Sequence, residues 1–171
     1  VAVLPEAKWV LPAPPRVPTE HQLEKLASRE VLDSPQGPAI RRAADDRAAI
    51  LDIVAKLPKP DRALLPDLVP TVNALMERVV HLAQMVHRLD QSIDPRQIDS
   101  LDARIVEVER EGKSPEGERR LGLLRRQRAT LEELVQHRAT LARQLDNARL
   151  ALGSLRLDLI KVRCSGLQSV P

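Results

Sequence analysis

The stretch PEGERRLGLLRRQRATLEELVQHRATLARQLDNARLALGSLRLDLIKVR, Pro115 to Arg163, decides how the chain folds. Leu124, Leu131, Arg138, Leu145, Leu152 and Leu159 recur every seventh residue. Leu134, Leu141, Ala148, Leu155 and Val162 form a second series offset by three. At 3.6 residues per turn both series share one side of a helix and make the seam of a coiled coil. Leu150 and Leu157 lie beside that seam and widen it beyond what one partner helix covers. One long amphipathic helix is predicted here, packed against more than one neighbour.

Working back from Pro115, Glu111-Gly112-Lys113-Ser114-Pro115-Glu116-Gly117 supplies two glycines, a capping serine and a proline, which predicts a tight turn. Before it, Leu68, Val72, Leu75, Val79, Leu82, Val86, Leu89 and Ile93 alternate steps of four and three. Asp94-Pro95 should interrupt that helix, with Asp94 as the cap and Gln97 closing a capping box, before Ile98, Leu101, Ile105 and Val108 resume the seam. The expected fold is all-α: a long antiparallel coiled-coil hairpin over 66–166, with arms 66–111 and 115–164 and a tip near 112–114. Charge supports the pairing. Six basic and eight acidic residues occupy 71–113, whereas eleven basic and six acidic residues occupy 115–163.

The N-terminal part is less regular. Residues 1–18, VAVLPEAKWVLPAPPRVP, hold five prolines and no periodicity, so they read as a linker carrying the sole aromatic residue, Trp9. Shorter helices follow over 19–65. Thr19 and Gln22 form a capping box for a helix to about Asp33. Ser34-Pro35 signals a second start, and Ile40, Ala44, Ile50, Leu51, Val54 and Leu57 carry its apolar face to Pro58. Asp61 to Leu65 adds a further turn, and 167–171 form a short tail.

Composition excludes several functions. The chain has no Phe and no Tyr, whereas enzyme cores use aromatics to fill volume. Leu, Val, Ile and Ala suit narrow seams between helices. A net charge of +3 with interspersed signs and no aromatic platforms is not the footprint of a nucleic-acid binder. Cys164 is the single cysteine, so no internal disulfide and no paired-cysteine metal motif exists. His81 and His87 are six apart, not the four that hold zinc on one helix face, and His21 and His137 stand alone. No apolar run approaches the roughly 20 residues of a membrane span. There is no signal peptide, and because Val1 is not an initiator methionine the chain reads as a piece of a longer one, expected in the cytoplasm.

Two groups of residues merit roles. Arg138 interrupts the leucine series, and a hairpin with its tip near Lys113 brings it to Asp90. The pair is a candidate register pin, against an Arg138 that simply bends to solvent. Arg119, Arg120, Arg125, Arg126 and Arg128 make a basic patch near the tip. It could take phosphate, an acidic partner or a membrane surface, or be a solvated face opposite the acidic arm. Neither a Gly-rich phosphate loop nor a Ser/His/Asp context occurs. Asp45-Asp46 and Glu132-Glu133 are adjacent, so each pair points to different helix faces and reads as solvating charge. No catalytic, cofactor or metal residue is assigned.

The run VLDSPQGPAIRRAADDRAAILDIVAKLPKPDRALLPDLVPTVNALMERVVHLAQMVHRLDQSI, residues 31–93, resembles the region downstream of the kinase domain in certain bacterial serine/threonine protein kinases. So does ERRLGLLRRQRATLEELVQHRATLARQLDNARLALGSLRLDLIKVR, residues 118–163. LPKPDRALLPDLVPTV and the QRATL, RATLA and LRLDL phrases are its most distinctive parts. The resemblance implies a parent with an amino-terminal ATP-dependent kinase domain, a linker and this helical tail. No kinase catalytic residue is carried over, because the Gly-rich, His-Arg-Asp and Asp-Phe-Gly motifs are absent. The expectation is a non-catalytic region for self-association or docking of a protein, with a free-standing coiled-coil adaptor as the alternative. Its partner would be its own N-terminal helices, a second copy or another protein. The fold-back of 20–57 onto the leucine face is expected, with dimerisation as the other route to covering Leu150 and Leu157.

Overall fold

The structure, a computed structural model, describes residues 17–165. These are all-helical, with no strand among them. The linker expected over 1–18, including Trp9, lies almost wholly outside the described residues, as does the 167–171 tail.

The N-terminal stretch forms two short helices where one was expected, α1 (Glu20–Glu24) and α2 (Arg29–Leu32). The amides of Leu26 and Ala27 turn back to the Leu23 carbonyl, and Ser28 opens the next turn through its own carbonyl. Serine favours such helix starts. The break lets Leu23, Ala27, Val31 and Leu32 all reach the core.

The third helix, α3 (Gly37–Lys56), starts later than Ser34. Rather than capping it, the Ser34 hydroxyl donates to the Val31 carbonyl at 2.6 Å and accepts from the Gln36 amide at 3.2 Å. Gly37 permits this reversal: a Cβ there would stand 1.8 Å from the Leu32 carbonyl oxygen. Pro58 and Pro60 end α3 and begin α4 (Lys59–Ala63). Arg62 then donates to the Ala55 and Leu57 carbonyls, satisfying acceptors that the end of α3 leaves open.

Three further helices complete the described residues: α5 (Leu68–Ser92), α6 (Gln97–Arg110) and α7 (Pro115–Ser165). Between α5 and α6, Ile93 is extended. Asp94 stands two residues before the N-cap position of α6, Arg96, and caps the turn that leads into it. Its carboxylate accepts from the backbone and Nε of Arg96, and Arg96 itself precedes the first turn of α6. At the tip Gly112 has φ +88°, a conformation suited to glycine. The Ser114 hydroxyl accepts from the Gly117 amide at 3.0 Å.

Packing divides α7 into two regimes. Its N-terminal half meets α6, and its C-terminal half meets α3 and α5 together. The deepest side chains, Ile40, Ile50, Val72, Met76, Val79, Val86 and Leu152, all belong to α3, α5 and α7. On α5, Met76, Val80 and Ala83 are buried in addition to the expected face. Met76 and Val80 line a cleft shared with Leu26 and Arg47, so α5 serves α7 with one stripe and the α1–α2 turn and α3 with the next. The α6–α7 arm is thinner, with Val108, Leu124 and Leu131 as its buried residues.

Candidate functional site

The seam of α7 is buried at Leu124, Leu131, Leu141, Leu145, Ala148, Leu152 and Leu159. Arg138 is half-buried within it. Its guanidinium is bidentate on Asp90: Nε donates to Oδ1 at 2.7 Å and Nη2 to Oδ2 at 3.1 Å. The Gln36 side-chain amide also donates to Asp90 Oδ2, at 3.0 Å, and Gln36 Oε1 lies 3.1 Å from the Ser34 hydroxyl. Gln36 is buried. One carboxylate on α5 therefore ties α7 to the loop that starts α3. The Arg138 hydrogen bonds hold the Asp90 carboxyl below its ordinary range, with Gln36 adding to the effect. Asp90 in turn raises the Arg138 guanidinium.

A second polar contact was not expected. Asp45 is exposed, but Asp46 is buried, with 8% of its surface accessible. Its Oδ1 accepts from Arg156 Nη1 on α7 at 3.0 Å. Asp46 is therefore a tie between α3 and α7 rather than solvating charge. Its position was legible: Ala39, Ala43, Asp46, Ile50, Ile53 and Leu57 alternate steps of four and three, with the acid in an apolar slot.

Beside that pair, α3 and α7 form a shallow cleft of about 440 Å³. Arg42 and Arg149 stand on its walls with Leu150, Gly153, Leu157 and Ile160. The fold-back of α3 reaches α7 yet does not cover its leucine face. Leu150 remains 49% and Leu157 67% exposed.

The five tip arginines are not one free cationic surface. Arg120 pairs with Glu111, Arg125 with Glu109, and Arg128 with Asp102 and Glu132. Partner numbers on α6 fall as those on α7 rise, so the two helices run antiparallel. Arg119 and Arg126 make no ion pair among the described residues. Exposed pairs of this kind are each worth under about 1 kcal/mol but together favour one register.

Among the described residues, no three His, Cys, Asp or Glu side chains converge as a metal site would require. His87 Nε2 on α5 is enclosed without a hydrogen-bond partner, and Cys164 is exposed. No helix among these residues is long and apolar enough to cross a membrane. The chain matches no protein-family model, no curated protein and no solved structure.

Proposed function

We propose that this chain is a non-catalytic helical region for self-association or protein docking, working in the cytoplasm as the tail of a bacterial serine/threonine protein kinase. On this reading the α5–α6 arm and α7 pack as an antiparallel coiled-coil hairpin, braced by α3. Exposed Leu150 and Leu157 carry the association half. Both border the cleft between α3 and α7, and α3 passes alongside without covering them, so a partner from outside the bundle is needed to do so. Leucines left open on one side of a helix are apolar area that a partner can cover. The kinase half is supported by the sequence resemblance over residues 31–93 and 118–163. Two kinase domains joined through such tails would gain effective concentration for phosphorylation in trans.

The two halves are tested separately. An in-frame kinase domain in the coding sequence upstream of Val1 supports the tail, whereas a start codon directly before Val1 leaves a free-standing adaptor. If the domain is there, deleting the helical region should slow trans-phosphorylation in dilute solution and leave phosphorylation of a saturating peptide substrate unchanged. An unchanged trans rate would contradict the association role.

A further inference from the structure

We infer, on the premise that the chain is an association module, that the uncovered face of α7 is a homodimer seam closed by a second copy lying antiparallel across it. Asp146, Leu150, Gly153, Leu157 and Lys161 follow steps of four, three, four and four, so they share one face. That face flanks α3 along the cleft beside Asp46, next to the side of α7 filled by Leu145, Ala148, Leu152 and Leu159. A two-fold axis between Gly153 and Ser154 makes it self-complementary. Leu150 then meets Leu157 of the second copy, and Asp146 meets Lys161 of the second copy, each twice by symmetry. A parallel, in-register pairing would instead stack Asp146 on Asp146 and Lys161 on Lys161.

Gly153 gives a separate reason. Glycine inside a helix costs about 1 kcal/mol relative to alanine. An added Cβ would meet only Asp46 Oδ2, at 3.5 Å, an ordinary contact. The chain's own packing therefore does not require glycine at 153. A helix crossing at the proposed axis does, because Gly153 and Ser154 are the residues over which two backbones come closest. The flanking charges are already partnered: Arg149 by Asp146 at 2.9 Å and Arg156 by Asp46. Lys161 makes no ion pair among the described residues, and across the seam it would join the Asp146–Arg149 pair of the other copy as a second cation.

Disulfide trapping tests the seam. With Cys164→Ser, the exposed Ser154→Cys should cross-link to itself under mild oxidation. The native Cys164 should not, because in this arrangement its two copies lie about 30 Å apart at 1.5 Å rise per residue, far beyond the roughly 7 Å a disulfide spans. Adding Leu150→Glu and Leu157→Glu should abolish the Ser154→Cys cross-link with helicity unchanged, since both leucines are exposed. Cross-linking through Cys164 instead would show a parallel dimer and overturn the inference. A wild-type dimer by sedimentation that the two glutamates leave intact would defeat this seam while preserving the association reading. A wild-type monomer at all concentrations would defeat the seam and self-association together.

Discussion

Replacing Arg138 with alanine leaves Asp90 half-satisfied and removes a two-pronged tie between α5 and α7. With 37% and 32% of the two side chains exposed, solvent screening limits the loss, and about 1–2 kcal/mol is expected in denaturant unfolding. Arg138→Glu should cost more, and adding Asp90→Arg should recover most of that loss; no recovery would show that the pair does not set register. The same carboxylate gives a pH signature. Its folded value is depressed, so its stabilisation is complete above the ordinary aspartate value near 3.9 and disappears as pH falls through the lower folded value. Asp90→Asn should therefore lower the melting temperature by a constant amount above about pH 5, and the gap to wild type should narrow below about pH 4. A gap independent of pH would contradict the ion pair. Arg138 was legible because a charge inside a leucine series needs a partner, and hairpin geometry named Asp90. Asp46 could have been found by the same logic, since it occupies an apolar slot. Gln36 could not, because it lies in an irregular turn where no periodicity assigns a face.

At the scale of the helix, burial along α7 predicts unequal consequences for the same substitution. Leu152 is fully buried among α3 and α5, so Leu152→Ala should cost about 2–5 kcal/mol. Leu157→Ala, five residues on and largely exposed, should change monomer stability by less than about 0.5 kcal/mol. Equal losses in urea unfolding would mean that the two faces of α7 are misassigned. The arms also differ. The bundle of α3, α5 and the C-terminal half of α7 has a continuous core, whereas α6 and residues 115–131 share a narrow line of Val108, Leu124 and Leu131. Backbone amides in α6 should exchange with solvent earlier than those in the middle of α5 and in residues 141–159. Uniform protection would contradict the division. Long helices were readable because their apolar repeat persists for many turns. The shorter N-terminal helices were not, because tertiary packing sets where such short elements break, and no local repeat reports it.

For the whole molecule, the fold-back resolves only part of what the sequence posed. The wide apolar face of α7 called for a third helix, and α3 supplies it through Ile40, Ile50 and the Asp46–Arg156 tie. The rest of that face, Leu150 and Leu157, borders the cleft between α3 and α7, where α3 passes alongside without covering it. No residue pattern distinguishes in advance between a face to be covered by the chain itself and one left for a partner; the three-dimensional path of α3 decides it. The most direct measurement is thermal unfolding as a function of chain concentration, for wild type and for Leu150→Glu/Leu157→Glu. Association that buries this face makes the melting temperature rise with concentration in the wild type, by a few degrees per tenfold, and removes that dependence in the variant. A wild-type melting temperature that stays constant across concentration, with a monomer mass throughout, would contradict a self-associating role for α7.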